Sequence, residues 1–225
     1  MIGKNILLGL TYLVGTGELA LAVFFWVTHQ KQEIRKVMAL LAFSTAAWAI
    51  LNGLTSYVDP SATVTLFLKV LFVSGAVIVT SLVHLAILFP YKTFTFDKLH
   101  AVLLYFPAFI LSLVAIFTST IFSGYNVNSN IAGWPIPGPM FGVYQLVVSA
   151  FYFASVVLLF YKQRVVGGFQ KNNARIFLLG VVLGGLPAIS LNLWAVFYEI
   201  SVNPLISVVF SVFWVGSTTY IILKK

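Results

Sequence analysis

VTLFLKVLFVSGAVIVTSLVHLAILF, residues Val64–Phe89, is an apolar stretch with Lys69 as its one lysine. An α-helix rises about 1.5 Å per residue, so this stretch is long enough to cross a hydrocarbon core of about 30 Å. Stretches of similar length and composition recur along the whole chain. The sequence therefore predicts seven membrane-spanning helices: Ile6–Val27, Val37–Val58, Val64–Phe89, Leu99–Ser123, Pro139–Tyr161, Ile176–Tyr198 and Leu205–Leu223.

Basic residues gather in every second gap between these stretches. Short loops that are rich in lysine and arginine remain in the cytoplasm. We therefore expect an all-α membrane protein, a seven-transmembrane helix bundle with its N-terminus outside and its C-terminus cytoplasmic. The gaps after the first, third and fifth spans, with the C-terminal end, hold most of the basic residues: Lys31, Arg35, Lys36, Lys92, Lys98, Lys162, Arg164, Lys171, Arg175, Lys224 and Lys225.

The composition excludes several classes of protein. The 225 residues are 60% hydrophobic and 8% charged, whereas a soluble domain has about 25% charged residues. The absence of cysteine excludes disulfides and thiolate chemistry. The net charge of +8 is explained by anionic lipid head groups at the inner face, so we expect the lipid bilayer as a partner and no nucleic acid. We predict a single membrane domain over residues 1–225.

Catalytic and cofactor signatures are missing from the sequence. It has no G-x-G-x-x-G, P-loop or G-x-S-x-G motif, and no histidine pair with the i, i+4 spacing of a metal helix. The last span has no lysine before Lys224, which argues against a retinal pigment. For His84, a hydrogen bond to a neighbouring helix is favoured over a metal or proton-transfer role. We predict no enzyme activity, no metal and no cofactor.

Several polar residues lie within the predicted spans, where they normally face the bundle interior or a water-filled cavity. From the helical rise, Glu18 lies about 18 Å along its span, and four other polar residues lie on one level, about 7–9 Å below the outer end of theirs. We expect a candidate ligand-binding site formed by Glu18, Trp48, Asn52, Lys69, Gln145, Asn192 and Trp194, with Trp48, Tyr144 and Trp194 as its apolar walls.

Two interpretations of this polar level remain open. The amides of Asn52, Gln145 and Asn192 either form hydrogen bonds between helices or line a pocket open to the outside. Lys69 either extends towards the head groups or pairs with Glu18 across a depth difference of about 10 Å.

The sixth span and the loop before the fifth contain residues that break or tighten helices. Gly180 and Gly184 form a small-xxx-small pair, and Pro187 should kink the helix, so this segment serves either tight packing or a hinge. The outer loop 124–139 holds three prolines and three glycines and cannot be helical. It is either a structured connector or a lid over an outer pocket.

Three segments together resemble the N-terminal seven-transmembrane sensor region of bacterial and archaeal histidine kinases. They are Val83–Pro90 (VHLAILFP), the basic loop from Tyr161 to Arg175 that leads into Leu178-Leu179-Gly180, and Tyr220–Lys224 (YIILK). The resemblance implies a membrane sensor that passes a signal to a cytoplasmic kinase or cyclase domain. The chain stops at Lys225, where such an effector would begin, so we expect the effector either in cis in a longer protein or in trans.

We therefore expect a sensory input module in the plasma membrane of a prokaryote, with a small ligand and a cytoplasmic kinase or other effector as partners. A second copy of the chain is a further candidate partner. The alternative is a small transporter or channel in which Glu18 is the proton- or cation-coupling residue.

Overall fold

The computed structural model describes residues 2–28, 32–55, 62–92, 96–126, 134–194 and 205–223. Within these ranges the chain forms seven helices and one two-stranded hairpin. They are α1 (Ile2–Val27), α2 (Glu33–Thr55), α3 (Ala62–Leu88), α4 (Lys98–Phe117), β1 (Phe122–Asn126), β2 (Trp134–Pro137), α5 (Phe141–Val165), α6 (Gly168–Ile189) and α7 (Leu205–Leu223).

The predicted class, a seven-helix membrane protein, is confirmed. Helices α1 to α6 are each long and apolar enough to cross a membrane, and α7 contains a shorter apolar stretch, Val208–Tyr220. The orientation of the bundle in the membrane stays a prediction.

The helices pack in a closed ring with one helix outside it. Neighbours in the ring are α1 and α2, α2 and α3, α3 and α5, α5 and α6, and α6 and α7, and α7 returns to contact α1 and α2. Helix α4 packs mainly on α3. Of the six long helices, α3 is therefore the most buried and α4 the least, and α3 is the element against which the others are positioned.

The predicted end of the fourth span was wrong. Helix α4 ends at Phe117, and the residues up to Ser123, which hydropathy alone assigned to the span, turn and form strand β1. The strand pairs antiparallel with β2, with Gly124 opposite Ile136. Gly138, just after β2, packs directly on the backbone before β1, since an added Cβ there would lie 2.4 Å from the carbonyl oxygen of Thr120.

Three other helices extend beyond their predicted ends on the side that carries the basic residues. Helix α2 begins at Glu33, α5 continues to Val165 and α6 begins at Gly168. Hydropathy stops at charged residues, whereas backbone hydrogen bonding continues through them. The first turn of α2 therefore includes charged side chains that the sequence analysis had placed in a loop.

Asp97 caps the start of α4. Its carboxylate accepts a hydrogen bond from the backbone N–H of His100 at 3.0 Å, the usual N-cap arrangement. This backbone bond, and a second from the imidazole of His100 at 2.7 Å, hold the pKa of Asp97 below its usual value. The cap fixes the point at which the chain returns to the membrane.

Candidate functional site

The strongest candidate for an interior polar site lies on α5. Gln145 is 4% exposed, and its Nε2 has no hydrogen-bond partner among the described residues. Ser149, one turn further along the same face, is also buried, and its Oγ likewise lacks a partner there. Tyr152, three residues later, donates to the carbonyl of Val181 at 3.3 Å, so this part of α5 faces α6. Two buried polar groups thus lie close to an interhelical contact.

Asn52 and Trp48 lie together on α2, and both are buried. The Asn52 side chain donates to the carbonyl oxygen of Trp48 at 2.9 Å, one turn back on its own helix. This bond holds the Asn52 amide against the backbone of its own helix and fixes its orientation. Their part in a ligand site stays a prediction.

Two other residues of the predicted ligand-binding site, Asn192 and Trp194, lie at the end of the sixth span. Trp194 is 42% exposed, and its part as an apolar wall of the site stays a prediction. Asn192 belongs to the π-helical turn Ser190–Trp194, and its side chain lies outside the described residues, as does loop segment 127–133 of the predicted lid.

Lys69 has a partner that the sequence analysis did not consider. Its Nζ donates to the carbonyl oxygen of Ile116 at 2.7 Å. That carbonyl belongs to the last turn of α4, where carbonyl groups lack partners within the helix and the dipole favours a positive charge. Lys69 therefore ties α3 to the end of α4, and neither predicted alternative describes this contact.

Glu18 lies at the contact between α1 and α7. Its side chain is 3% exposed, and its Oε1 is 2.7 Å from Ser211 Oγ. In the described part of the chain its second oxygen, Oε2, has no partner. Ser211 was missed in the sequence analysis because a serine in an apolar helix has no distinguishing pattern, and the register of α1 against α7 cannot be read from the sequence.

The glycines of α6 bring α7 close. A Cβ added at Gly180 would lie 1.9 Å from Ser217 Oγ, and one at Gly184 would lie 2.8 Å from the carbonyl oxygen of Phe210. Pro187 follows, and the backbone N–H of Ser190 reaches the carbonyls of both Leu186 and Pro187 where the α-helix becomes a π-helical turn. The segment thus combines tight packing with a change of helix type, although its role as a hinge stays a prediction.

Lys162 is the most unusual residue that the sequence analysis passed over. It is fully buried near the end of α5, and its ammonium donates to the carbonyl oxygens of Ile87, Phe89 and Tyr91 at 2.8, 3.0 and 2.6 Å. The ammonium also lies 4.8 Å from the centre of the Tyr91 ring. Ile87 lies in the last turn of α3, and Phe89 and Tyr91 follow directly after the helix, so the lysine satisfies carbonyl groups at a helix end, where they lack partners within the helix. We call this arrangement the Lys162 cradle.

A second unexpected cluster surrounds His84 at the same end of α3. Its Nδ1 lies 3.3 Å from the hydroxyl of Tyr105 on α4, and its Nε2 lies 3.7 Å from a carboxylate oxygen of Glu33 on α2. Lys92 donates to the other Glu33 oxygen at 2.8 Å. His84 thus connects three helices, the interhelical hydrogen bonding that the sequence analysis favoured for it. Within the described ranges, no three histidine or acidic side chains are grouped closely enough to hold a metal ion.

The sequence matches a known protein family over most of its length. The family described as the N-terminal 7TM region of histidine kinase matches residues 10–223. No curated protein matches the chain.

Proposed function

The chain belongs to the family formed by the N-terminal 7TM region of histidine kinases, and from this premise we propose that it couples an extracellular or membrane signal to a cytoplasmic effector. The family's region is a membrane sensory input region and is not itself the catalytic part of a kinase. In this proposal the protein lies in the plasma membrane of a prokaryote with its N-terminus outside, and the effector is a kinase or other domain, in the same chain or in a partner.

The observation that carries the proposal is the pair of unsatisfied groups on α5. A buried polar group without a partner costs about 1–3 kcal/mol, so Gln145 Nε2 and Ser149 Oγ favour any state in which a polar ligand supplies their bonds. A ligand shifts an equilibrium only through different affinities for two states. Satisfying these groups in one helix arrangement and not in another provides such a difference.

The contacts around this pair support a route towards the effector. Helix α5 meets α6 through Tyr152, whose ring lies where a Cβ at Gly185 would come within 2.1 Å. On its other side α6 meets α7 through Gly180 and Gly184. A ligand that changes the spacing of α5 and α6 therefore displaces α7, the last helix before the predicted cytoplasmic end.

The test replaces Gln145 by leucine in a chimera that joins the end of α7 to a histidine-kinase catalytic domain. We expect Gln145→Leu to shift the basal level of autophosphorylation by about fivefold, because a cost of about 1 kcal/mol at the site is removed from one state. Leu146→Ala is the matched control, since Leu146 is the neighbouring, lipid-exposed residue. Unchanged phosphorylation in Gln145→Leu and Ser149→Ala, with normal membrane insertion, contradicts the proposed site.

A second measurement separates sensing from transport. We expect proteoliposomes of the purified chain to show no proton flux above protein-free vesicles. Flux that disappears in Glu18→Gln would instead support the transporter alternative.

A further inference from the structure

Three oxygen atoms form two short contacts where α1 meets α7. Ser211 Oγ is 2.7 Å from Glu18 Oε1 and also 2.7 Å from the backbone carbonyl oxygen of Val208. Both separations are typical of O–H···O hydrogen bonds, and each such bond needs its own proton. The carbonyl oxygen brings none, and the serine hydroxyl brings one. For both contacts to be full hydrogen bonds, the second proton has to come from the carboxyl group.

We infer that Glu18 is a neutral carboxylic acid that donates its proton to Ser211, so the carboxyl is a proton-binding site that joins α1 to α7. In this arrangement Ser211 accepts from Glu18 Oε1 and donates to the carbonyl of Val208. Each of the two short contacts of Ser211 Oγ then contains one proton. The unpartnered Oε2 is the carbonyl oxygen of the acid and carries no charge.

The ionised form fits the surroundings poorly. With a carboxylate, the serine proton either serves one acceptor and leaves two oxygens 2.7 Å apart with no proton between them, or is divided between both. The negative charge would also lie, 3% exposed, among apolar helices without a cation. Charges inside a membrane are otherwise paired or hydrated.

The helices packed against α1 are α2 and α7, and their ionisable groups lie elsewhere. On α2 these groups are Glu33, Arg35 and Lys36, all in its first turn. On α7 the ionisable side chain is Tyr220, which is half exposed. On α1 itself Tyr12 packs at Gly53 of α2, and Lys4 belongs to the first turn, fourteen residues before Glu18. Among the described residues, no basic side chain contacts Glu18.

Loss of this proton to solvent base would place a charge at the contact between α1 and α7. One of the two short contacts of Ser211 would then lack a proton, and the two helices would separate or admit water. The protonation itself does not depend on the proposed function. Its effect on output through α7 does rest on that function.

Infrared spectroscopy of the purified full chain tests the protonation directly, because a protonated carboxylic acid has a C=O stretching band that a carboxylate lacks. The chain has only five aspartate and glutamate residues. We expect a protonated-acid band at neutral pH in the wild type, its complete loss in Glu18→Gln, and its retention in the control Glu33→Gln. The band should disappear reversibly as the pH is raised.

Ser211→Ala removes the acceptor of the proposed bond without changing the acid. We expect its protonated-acid band to shift in frequency relative to the wild type. Identical neutral-pH spectra for wild type and Glu18→Gln overturn the inference, whatever the kinase chimera shows. A band assigned to Glu18 but unmoved by Ser211→Ala overturns the proposed donation to Ser211. If both spectral results are as expected but Glu18→Gln leaves autophosphorylation unchanged at all pH values, only the link to output fails.

Discussion

Replacing Lys162 by methionine removes the ammonium from the Lys162 cradle and keeps an apolar chain of similar length. In the native structure that ammonium donates to three carbonyl oxygens at the end of α3, at 2.6 to 3.0 Å, and is completely buried. Methionine cannot donate to any of them. The three carbonyls would be left to the water that can reach the end of the helix.

The size of the effect follows from opposing contributions. Hydrogen bonds that involve a charged group contribute about 1.5–3 kcal/mol each, so three of them give about 4.5–9 kcal/mol. Burying the ammonium costs several kcal/mol in lost hydration, which cancels roughly half of this. We therefore expect Lys162→Met to lower the free energy of unfolding by about 2–4 kcal/mol.

The assay is reversible unfolding in mixed detergent micelles, followed by circular dichroism at several denaturant fractions. Arg164→Met is the matched control, since it removes an exposed positive charge two residues away and should cost less than about 1 kcal/mol. Lys162→Arg separates charge from geometry, because a planar guanidinium cannot direct its donors at three converging carbonyls. We expect it to be intermediate. Equal stability of Lys162→Met and Arg164→Met would refute the reasoning.

The other predictions concern helix contacts and caps. Gly180→Ala should lower the free energy of unfolding by about 1–3 kcal/mol, because its Cβ meets Ser217. Gly17→Ala, whose Cβ meets nothing within 4 Å, should raise the free energy of unfolding by about 0.5–1 kcal/mol. Equal effects of the two substitutions in micelle unfolding would contradict the packing of α6 on α7. Lys69→Met should cost about 0.3–1 kcal/mol in the same assay through the lost cap on α4, and a neutral result at low salt would exclude that role. Because its folded-state pKa is lowered, the Asp97 cap should stabilise α4 above the usual carboxyl pKa and lose this contribution as the pH falls through the folded value. Asp97→Asn, which keeps the cap, should make stability less dependent on pH below the usual carboxyl pKa than it is in the wild type, and an unaltered acid profile would count against it.

Hydropathy was sufficient to predict a seven-helix bundle because each helix must satisfy its backbone groups and present apolar side chains to lipid. The same method concealed the partner of Lys69. With α4 extended to Ser123, the carbonyl of Ile116 would lie inside the helix and accept a backbone bond. Since the helix ends at Phe117, that carbonyl is free to accept from Lys69. The error in the predicted end of α4 therefore hid the capping contact between Lys69 and Ile116.

Lys162 shows a different limit. The charge pattern correctly groups it with other basic residues beside the ends of the spans, but that pattern treats every such charge as solvated. Its burial depends on where α3 ends and on the register of α5 against α3, and both are tertiary facts. The Glu18–Ser211 contact has the same origin, since it joins helices at the two ends of the chain.

The Lys162 cradle also has a consequence for how the protein is assembled. Helix α3 enters the membrane before α5, and until the two meet Lys162 must keep its ammonium hydrated at the membrane surface. Docking in the native register exchanges that water for three carbonyls at once. A slip of one helical turn, about 5.4 Å, would carry the ammonium away from all three, so misaligned intermediates keep a hydrated charge and cannot close. We therefore expect Lys162 to favour the native alignment of α3 and α5 as the two helices pack together.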